Sequence, residues 1–141
     1  LQKYPDLGCA NPVERITDKS ELGNPHRIKA ILSNNERLIY LSRQSIPSST
    51  FDIEEEATFF RQTCVMAFRG DFLQQFCKMP QTNLELVEGI DMLRLIQNDL
   101  PIASRVINDA TYPVDVPEDI SKIEEILKQD HWFSKYCDLG K

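Results

Sequence analysis

At 141 residues, 41% hydrophobic and 27% charged, the chain has the balance of one ordinary globular domain, not of a disordered segment. A net charge of -6 excludes a nucleic-acid surface, which needs clustered Lys and Arg to displace counterions from phosphate. No apolar run is long enough to span a bilayer and no charged leader precedes an apolar block, so a cytoplasmic protein without membrane or nucleic-acid partners is expected.

Taken in order, residues 1 to 26 carry Pro5, Gly8, Pro12, Gly23 and Pro25 and little periodicity; a short strand from Cys9 to Ile16 fits, followed by a turn-rich connection. Two β-rich runs, Arg27 to Leu32 and Arg37 to Arg43, flank an Asn34-Asn35 turn and read as a hairpin that Pro47 brings to an end. Residues 48 to 58 are polar and acidic and read as an exposed loop, with Glu54, Glu55 and Glu56 diverging too much to gather a metal. Gln62 to Arg69 is apolar on both parities, which predicts a central strand covered on both faces.

Asp71 opens a short helix to Lys78 with Phe72, Leu73 and Phe76 turned inward. Thr82 and Glu85 form a capping box for a helix reaching about Asn98, with Leu86, Ile90 and Leu93 as its buried stripe and Val87 and Met92 on the flanks. Glu85, Glu88 and Asp91 read as a solvated acidic face ending in an Asp91–Arg94 pair. Pro101 closes that unit, and Ile102 to Ile107 fits a further strand.

The stretch Tyr112 to Ile120 (YPVDVPEDI) is the sharpest junction in the chain. Pro113 and Pro117 forbid element-interior hydrogen bonds on either side of Asp115, and Ile120, Ile123, Ile126 and Leu127 then recur at helical spacing. Asp115 stands where an extended segment gives way to a helix, a place where α/β proteins hold ligands; with Glu118 it also reads as a helix cap. The tail from His131 to Tyr136 is aromatic enough to pack on its own core or on a partner.

The succession of elements predicts an α/β or α+β fold of one domain over 1–141, with a mixed sheet, a β-hairpin and three main helices. Cys9, Cys64, Cys77 and Cys137 are scattered without a C-x-x-C pair and are expected as reduced, mostly buried thiols. With only His26 and His131 as nitrogen ligands, zinc is not expected. No glycine-rich phosphate loop and no Ser/His/Asp set occurs.

Six pieces in one order carry a resemblance. They are Asn24-Pro25 before Ile28-Lys29; Leu38 to Arg43 (LIYLSR) with Ile46-Pro47; Phe68-Arg69 and Phe72; Leu84-Glu85; Asp91 with Leu93 and Arg94; and Val114 to Asp119 (VDVPED). From about residue 7 to residue 127 the chain resembles the C-terminal half of the CMP-Kdo synthetases, the 3-deoxy-manno-octulosonate cytidylyltransferases, and so half of a nucleotide-sugar transferase fold. The resemblance leaves 128–141 as an aromatic tail. It implies a reaction in which the anomeric hydroxyl of a sugar acid attacks the α-phosphate of CTP and pyrophosphate leaves, with magnesium screening the phosphates.

In that scheme Asp115 matches a magnesium-holding aspartate, Arg43 an arginine near the sugar carboxylate, and Asp91 an acidic position lining the sugar pocket. A planar guanidinium suits a carboxylate because its N–H groups pair with both oxygens. Gln62 stands where the family has a substrate-facing histidine, Met66 where it has an aromatic, and Met92 where it has a glutamine. The family's nucleotide loop and second magnesium aspartate have no counterpart here, so the chain alone is expected to lack catalytic competence, with no catalytic residue of its own. Lipopolysaccharide biosynthesis is the implied setting. A half sheet would expose an edge and an apolar face, so a homo-oligomer is the expected form, with a sugar acid as ligand and a separate nucleotide-binding chain as a possible partner. A stand-alone oligomeric interaction protein and one half of a split CMP-sugar synthetase are the competing readings.

Overall fold

The structure, a computed structural model, describes residues 1–48, 57–108, 114 and 116–137. The chain divides into two compact units, Leu1–Ala110 and Thr111–Lys141. The first is α/β. Its strands are β1 (Cys9–Ala10), β2 (Val13–Arg15), β3 (Lys29–Leu32), β4 (Arg37–Ser42), β5 (Phe60–Gln62), β6 (Ala67–Phe68), β7 (Ile102–Ala103) and β8 (Val106–Ile107). They form one mixed sheet in the order β6-β1-β7-β4-β3-β5-β2-β8.

Two long strands, each interrupted once, explain why this sheet curls. Pro12 has no N–H to give a ladder, and at Asn11-Pro12 the first strand breaks into β1 and β2. Ser104-Arg105 breaks the second into β7 and β8, and the two halves pair in parallel, β1 with β7 and β2 with β8. The breaks lock into one another: Asn11 N donates to Ala103 O at 2.9 Å, and Ser104 Oγ to Asn11 O at 2.8 Å. Because β2 also pairs with β5, and β5 with β3, the order returns to the strand it began beside. The terminal strands β6 and β8 have two residues each, so the bare edge expected of a half sheet is short.

The hairpin is β3 and β4, antiparallel around residues 33–36, with Glu36 taking up the turn at φ 55. The single central strand expected over Gln62 to Arg69 does not form. β5 ends at Gln62, and β6 pairs only with β1 at the sheet's edge. Between them the Asn11 side chain donates to the carbonyls of Thr63 and Val65, both at 3.1 Å, satisfying backbone that a ladder would otherwise have held. Cys64 and Val65 are exposed there. Apolar residues on both parities marked two short strands with different surroundings.

Helix α1 (Gly70–Lys78) packs Phe72 so closely on Gly8 that a Cβ there would lie 2.2 Å from the ring. Phe72 and Phe76 turn inward as expected, while Leu73 is exposed. The helix expected from Thr82 to about Asn98 is two, α2 (Asn83–Glu88) and α3 (Leu93–Gln97), because Gly89 ends α2 at φ 63. That turn swings the stripe round. Ile90, Met92, Leu93 and Leu95 are buried against Leu41 and Ile102, whereas Leu86 and Val87 face solvent at 64% and 75% exposure.

In the second unit, α4 (Glu118–Gln129) and α5 (His131–Cys137) follow the expected amphipathic run and aromatic tail. The described residues thus form five α-helices where three main ones were expected. Cys9 is buried, but the free thiols of Cys64 and Cys77 are exposed, contrary to the expectation of mostly buried cysteines.

Candidate functional site

Strand register gathers the first candidates. Lys29 of β3 pairs with Ser42 of β4 on one side and with Arg61 of β5 on the other. The next residues, Arg43 and Gln62, therefore flank Ile28 at one end of the sheet, two strand spacings or roughly 10 Å apart. Gln62 N donates to Ile28 O at 2.8 Å, and its side-chain Nε2 donates to Asn11 Oδ1 at 2.6 Å, which fixes the amide's orientation.

Arg43 is held from three sides. Its Nε donates to Glu88 O at 2.6 Å, Nη2 to Gly89 O at 3.1 Å and Nη1 to Pro25 O at 2.8 Å. The Glu88 carboxylate accepts from Arg43 N at 2.9 Å and from Ser42 Oγ at 2.8 Å. Gly89 is needed here for its left-handed conformation, since a Cβ would meet Arg43 Nη2 only at an ordinary contact distance of 3.6 Å. Asp91 follows two residues later, exposed, so the segment that Arg43 grips delivers it to the same end of the sheet. Its negative charge also reaches the core thiol of Cys9, which burial chiefly and Asp91 secondarily push up to about 12.

Beneath Arg43 lies Lys29, fully buried, whose Nζ donates to the carbonyls of Asn24 (2.9 Å), Arg27 (2.7 Å) and Arg43. Burial lowers the pKa of this ammonium and the Arg43 charge lowers it further, with Glu88 acting in the opposite sense.

The acidic face expected on the following helix is not one. Glu85 is buried and forms a two-pronged pair with Arg94, Nε to Oε2 at 2.7 Å and Nη2 to Oε1 at 2.5 Å. Glu85 also accepts from Thr82 N at 3.3 Å, the returning half of the expected capping box. Arg94 further donates to the carbonyls of Phe76 and Met79 and stacks on the Phe76 ring at 4.5 Å, so it binds the three helices to one another. The Arg94 guanidinium holds the Glu85 carboxyl well down, at about 2. The ion pair expected for Arg94 was with Asp91; spacing alone could not show that Gly89 would turn Glu85 toward it instead.

Arg43, Gln62 and Asp91 thus share one end of the sheet, and Asp115 lies outside the described residues. Among the described residues, no three His, Cys, Asp or Glu side chains gather as a metal site, and none of their helices is long and apolar enough to cross a membrane. Sequence reasoning missed Glu88, Asn11 and Lys29 as organisers of this end. A lysine at an inward strand position, between apolar neighbours, was the available signal for the last of these.

The family described as Cytidylyltransferase matches residues 2–136, and the chain belongs to that family. It is similar to the 3-deoxy-manno-octulosonate cytidylyltransferase of Chlamydia trachomatis serovar L2, 32% identical over 128 residues that make up 90% of this chain and 49% of that protein. The enzyme of the same name from Cytophaga hutchinsonii is 32% identical over 124 residues, 84% of this chain and 50% of its own length. Among solved structures, a CMP:2-keto-3-deoxy-manno-octonic acid synthetase complexed with CTP superposes with a TM-score of 0.80 at 26% identity, over 91% of this chain and 52% of that one. The chain spans about half the length of the curated relatives it matches.

Proposed function

We propose that this chain supplies the C-terminal, sugar-acid-binding and self-associating half of a CTP-dependent sugar-acid cytidylyltransferase. The observation that carries this reading is the convergence of Arg43, Gln62 and the Gly89–Asp91 segment on one end of a sheet whose fold matches about half of a CTP-bound synthetase.

The chemistry suits a polyhydroxy carboxylate. Of the five N–H donors of a guanidinium, Arg43 gives three to backbone carbonyls, which fixes its plane and leaves two N–H groups for a carboxylate. Gln62 keeps its side-chain oxygen as an acceptor for a sugar hydroxyl, since its nitrogen is given to Asn11. The exposed Asp91 carboxylate would accept from another. Held this way, the sugar's anomeric hydroxyl would attack the α-phosphate of CTP bound by a nucleotide-binding portion, and pyrophosphate would leave. This chain's residues bind and orient the acceptor; no catalytic residue is assigned to them.

Magnesium, if required, would be held by Asp115 together with substrate phosphates, as small hard cations usually are. Among the described residues, no three His, Cys, Asp or Glu side chains gather as a ligand set of their own. Self-association is supported by the exposure of Leu86 and Val87 side by side on α2, and the same feature would equally serve a purely structural oligomer. The setting this reading implies is lipopolysaccharide precursor synthesis in the cytoplasm.

A thermal-shift assay with 3-deoxy-manno-octulosonate and sialic acid, run at several protein concentrations, tests the reading. A sugar-acid shift that Arg43→Ala abolishes is expected. A midpoint that rises with protein concentration but ignores every sugar acid would replace it with the structural oligomer.

A further inference from the structure

Two buried or half-buried cations, not one, organise the end of the sheet that carries the candidate site. Arg43 reaches outward to Pro25, Glu88 and Gly89, whereas Lys29 reaches inward and takes three backbone carbonyls from two separate segments. An ammonium has three N–H donors and no acceptor, so Asn24, Arg27 and Arg43 exhaust it. An apolar side chain of similar volume would fill the space but take a donor away from the half-buried Arg27 and Arg43 carbonyls, while Asn24 O would keep only Arg27 N. Burying an unpaired ammonium is costly, and the direct partners here are dipoles rather than a carboxylate. That cost is borne at the strand position whose two neighbours lead into Arg43 and Gln62.

We propose that Lys29 is a positioning residue for the sugar-acid site: its buried ammonium ties the 24–27 turn to the end of β4, which sets Arg43 and, through Glu88 and Gly89, the segment bearing Asp91. The inference rests on the sugar-acid reading for its consequence, but the tether itself does not. It touches no substrate. Its effect is transmitted through the backbone of Arg43 and through Pro25, which that arginine also holds.

The tether is tested first in the unaltered chain by nuclear magnetic resonance, where Lys29 Nζ should show couplings across its hydrogen bonds to the carbonyl carbons of Asn24, Arg27 and Arg43. Couplings to none of them would overturn the proposal without any variant having to fold. In Lys29→Ala, amide exchange at Arg27, Arg43 and Gly89, whose N–H groups are hydrogen-bonded, should rise about tenfold while Cys9 and Ile102 keep their protection. Propylammonium chloride, which restores the missing ammonium, should reverse the rise, and sodium chloride at equal ionic strength should not. Exchange that rises uniformly, or that propylammonium leaves unchanged, contradicts a positioning role. In the same variant, the affinity for 3-deoxy-manno-octulosonate should fall about tenfold and return with the amine. Should the unaltered chain bind no sugar acid, the sugar-acid reading fails, while the couplings and the exchange pattern still decide the tether.

Discussion

Helices α3 and α4 both carry apolar residues at helical spacing and have opposite fates. The five-residue α3 buries Leu93 and Leu95 completely, and Met92 just before it. The twelve-residue α4 repeats isoleucine at helical spacing and buries none of its residues, and α5 leaves Trp132 58% exposed. Periodicity therefore marks which face of a helix wants cover, but not whether the same unit provides it. What distinguishes α2 and α3 is polar and backbone hardware: a left-handed glycine between them, and the Glu85–Arg94 pair binding both to α1. In α4, by comparison, Lys128 and Glu125 form an exposed pair three residues apart.

Substitutions that remove each kind of support should reproduce that contrast. Leu93→Ala should have the largest effect, destabilising the first unit by about 3 kcal/mol in urea unfolding, as a buried leucine replaced by a cavity does. Glu85→Gln comes next, on the order of 2 kcal/mol at neutral pH, because it leaves Arg94 without its charge partner. The pH dependence has a definite sign. The Glu85 carboxyl is held at about 2 in the fold against an ordinary 4.5, so its contribution is complete above 4.5 and is lost as the pH falls toward 2. A pH series of unfolding midpoints should show that loss in the wild-type protein and not in Glu85→Gln.

Gly89→Ala should cost about 1 kcal/mol for the left-handed backbone, with little steric effect on Arg43, which a Cβ would meet at an ordinary 3.6 Å. Ile120→Ala should have the smallest effect, within about 0.5 kcal/mol, since the side chain is half exposed. A cost for Ile120→Ala as large as that of Leu93→Ala would mean that the α4 face is covered in solution, and the contrast would shrink accordingly.

Much of the architecture was legible in the residues. The hairpin and the helix after Pro117 stand where alternation, Asn-Asn turn chemistry and proline punctuation put them, while the strand expected over Ile102 to Ile107 is split into β7 and β8. What escaped was set by tertiary contacts. Gly89 lies within a run that reads as one helix, yet its conformation divides the helix and sends Leu86 outward and Met92 inward. The run from Gln62 to Arg69 looked like one covered strand, but a single buried asparagine eleven residues into the chain takes its carbonyls and breaks it. Arg43, Gln62 and Asp91 were nameable through family resemblance; that Arg43 and Gln62 share an end of the sheet follows from β3 pairing with both β4 and β5, and Asp91 stands near them through the Arg43 hold on Gly89, neither of which a local pattern encodes.

The most direct measurement is a nuclear magnetic resonance titration of the chain with 3-deoxy-manno-octulosonate, repeated with Arg43→Ala. The account predicts saturable shifts confined to Arg43, Gln62 and Gly89 through Asp91, and their disappearance in the variant. Shifts scattered over the surface, or unchanged in Arg43→Ala, would contradict the claim that this end of the sheet receives a sugar acid.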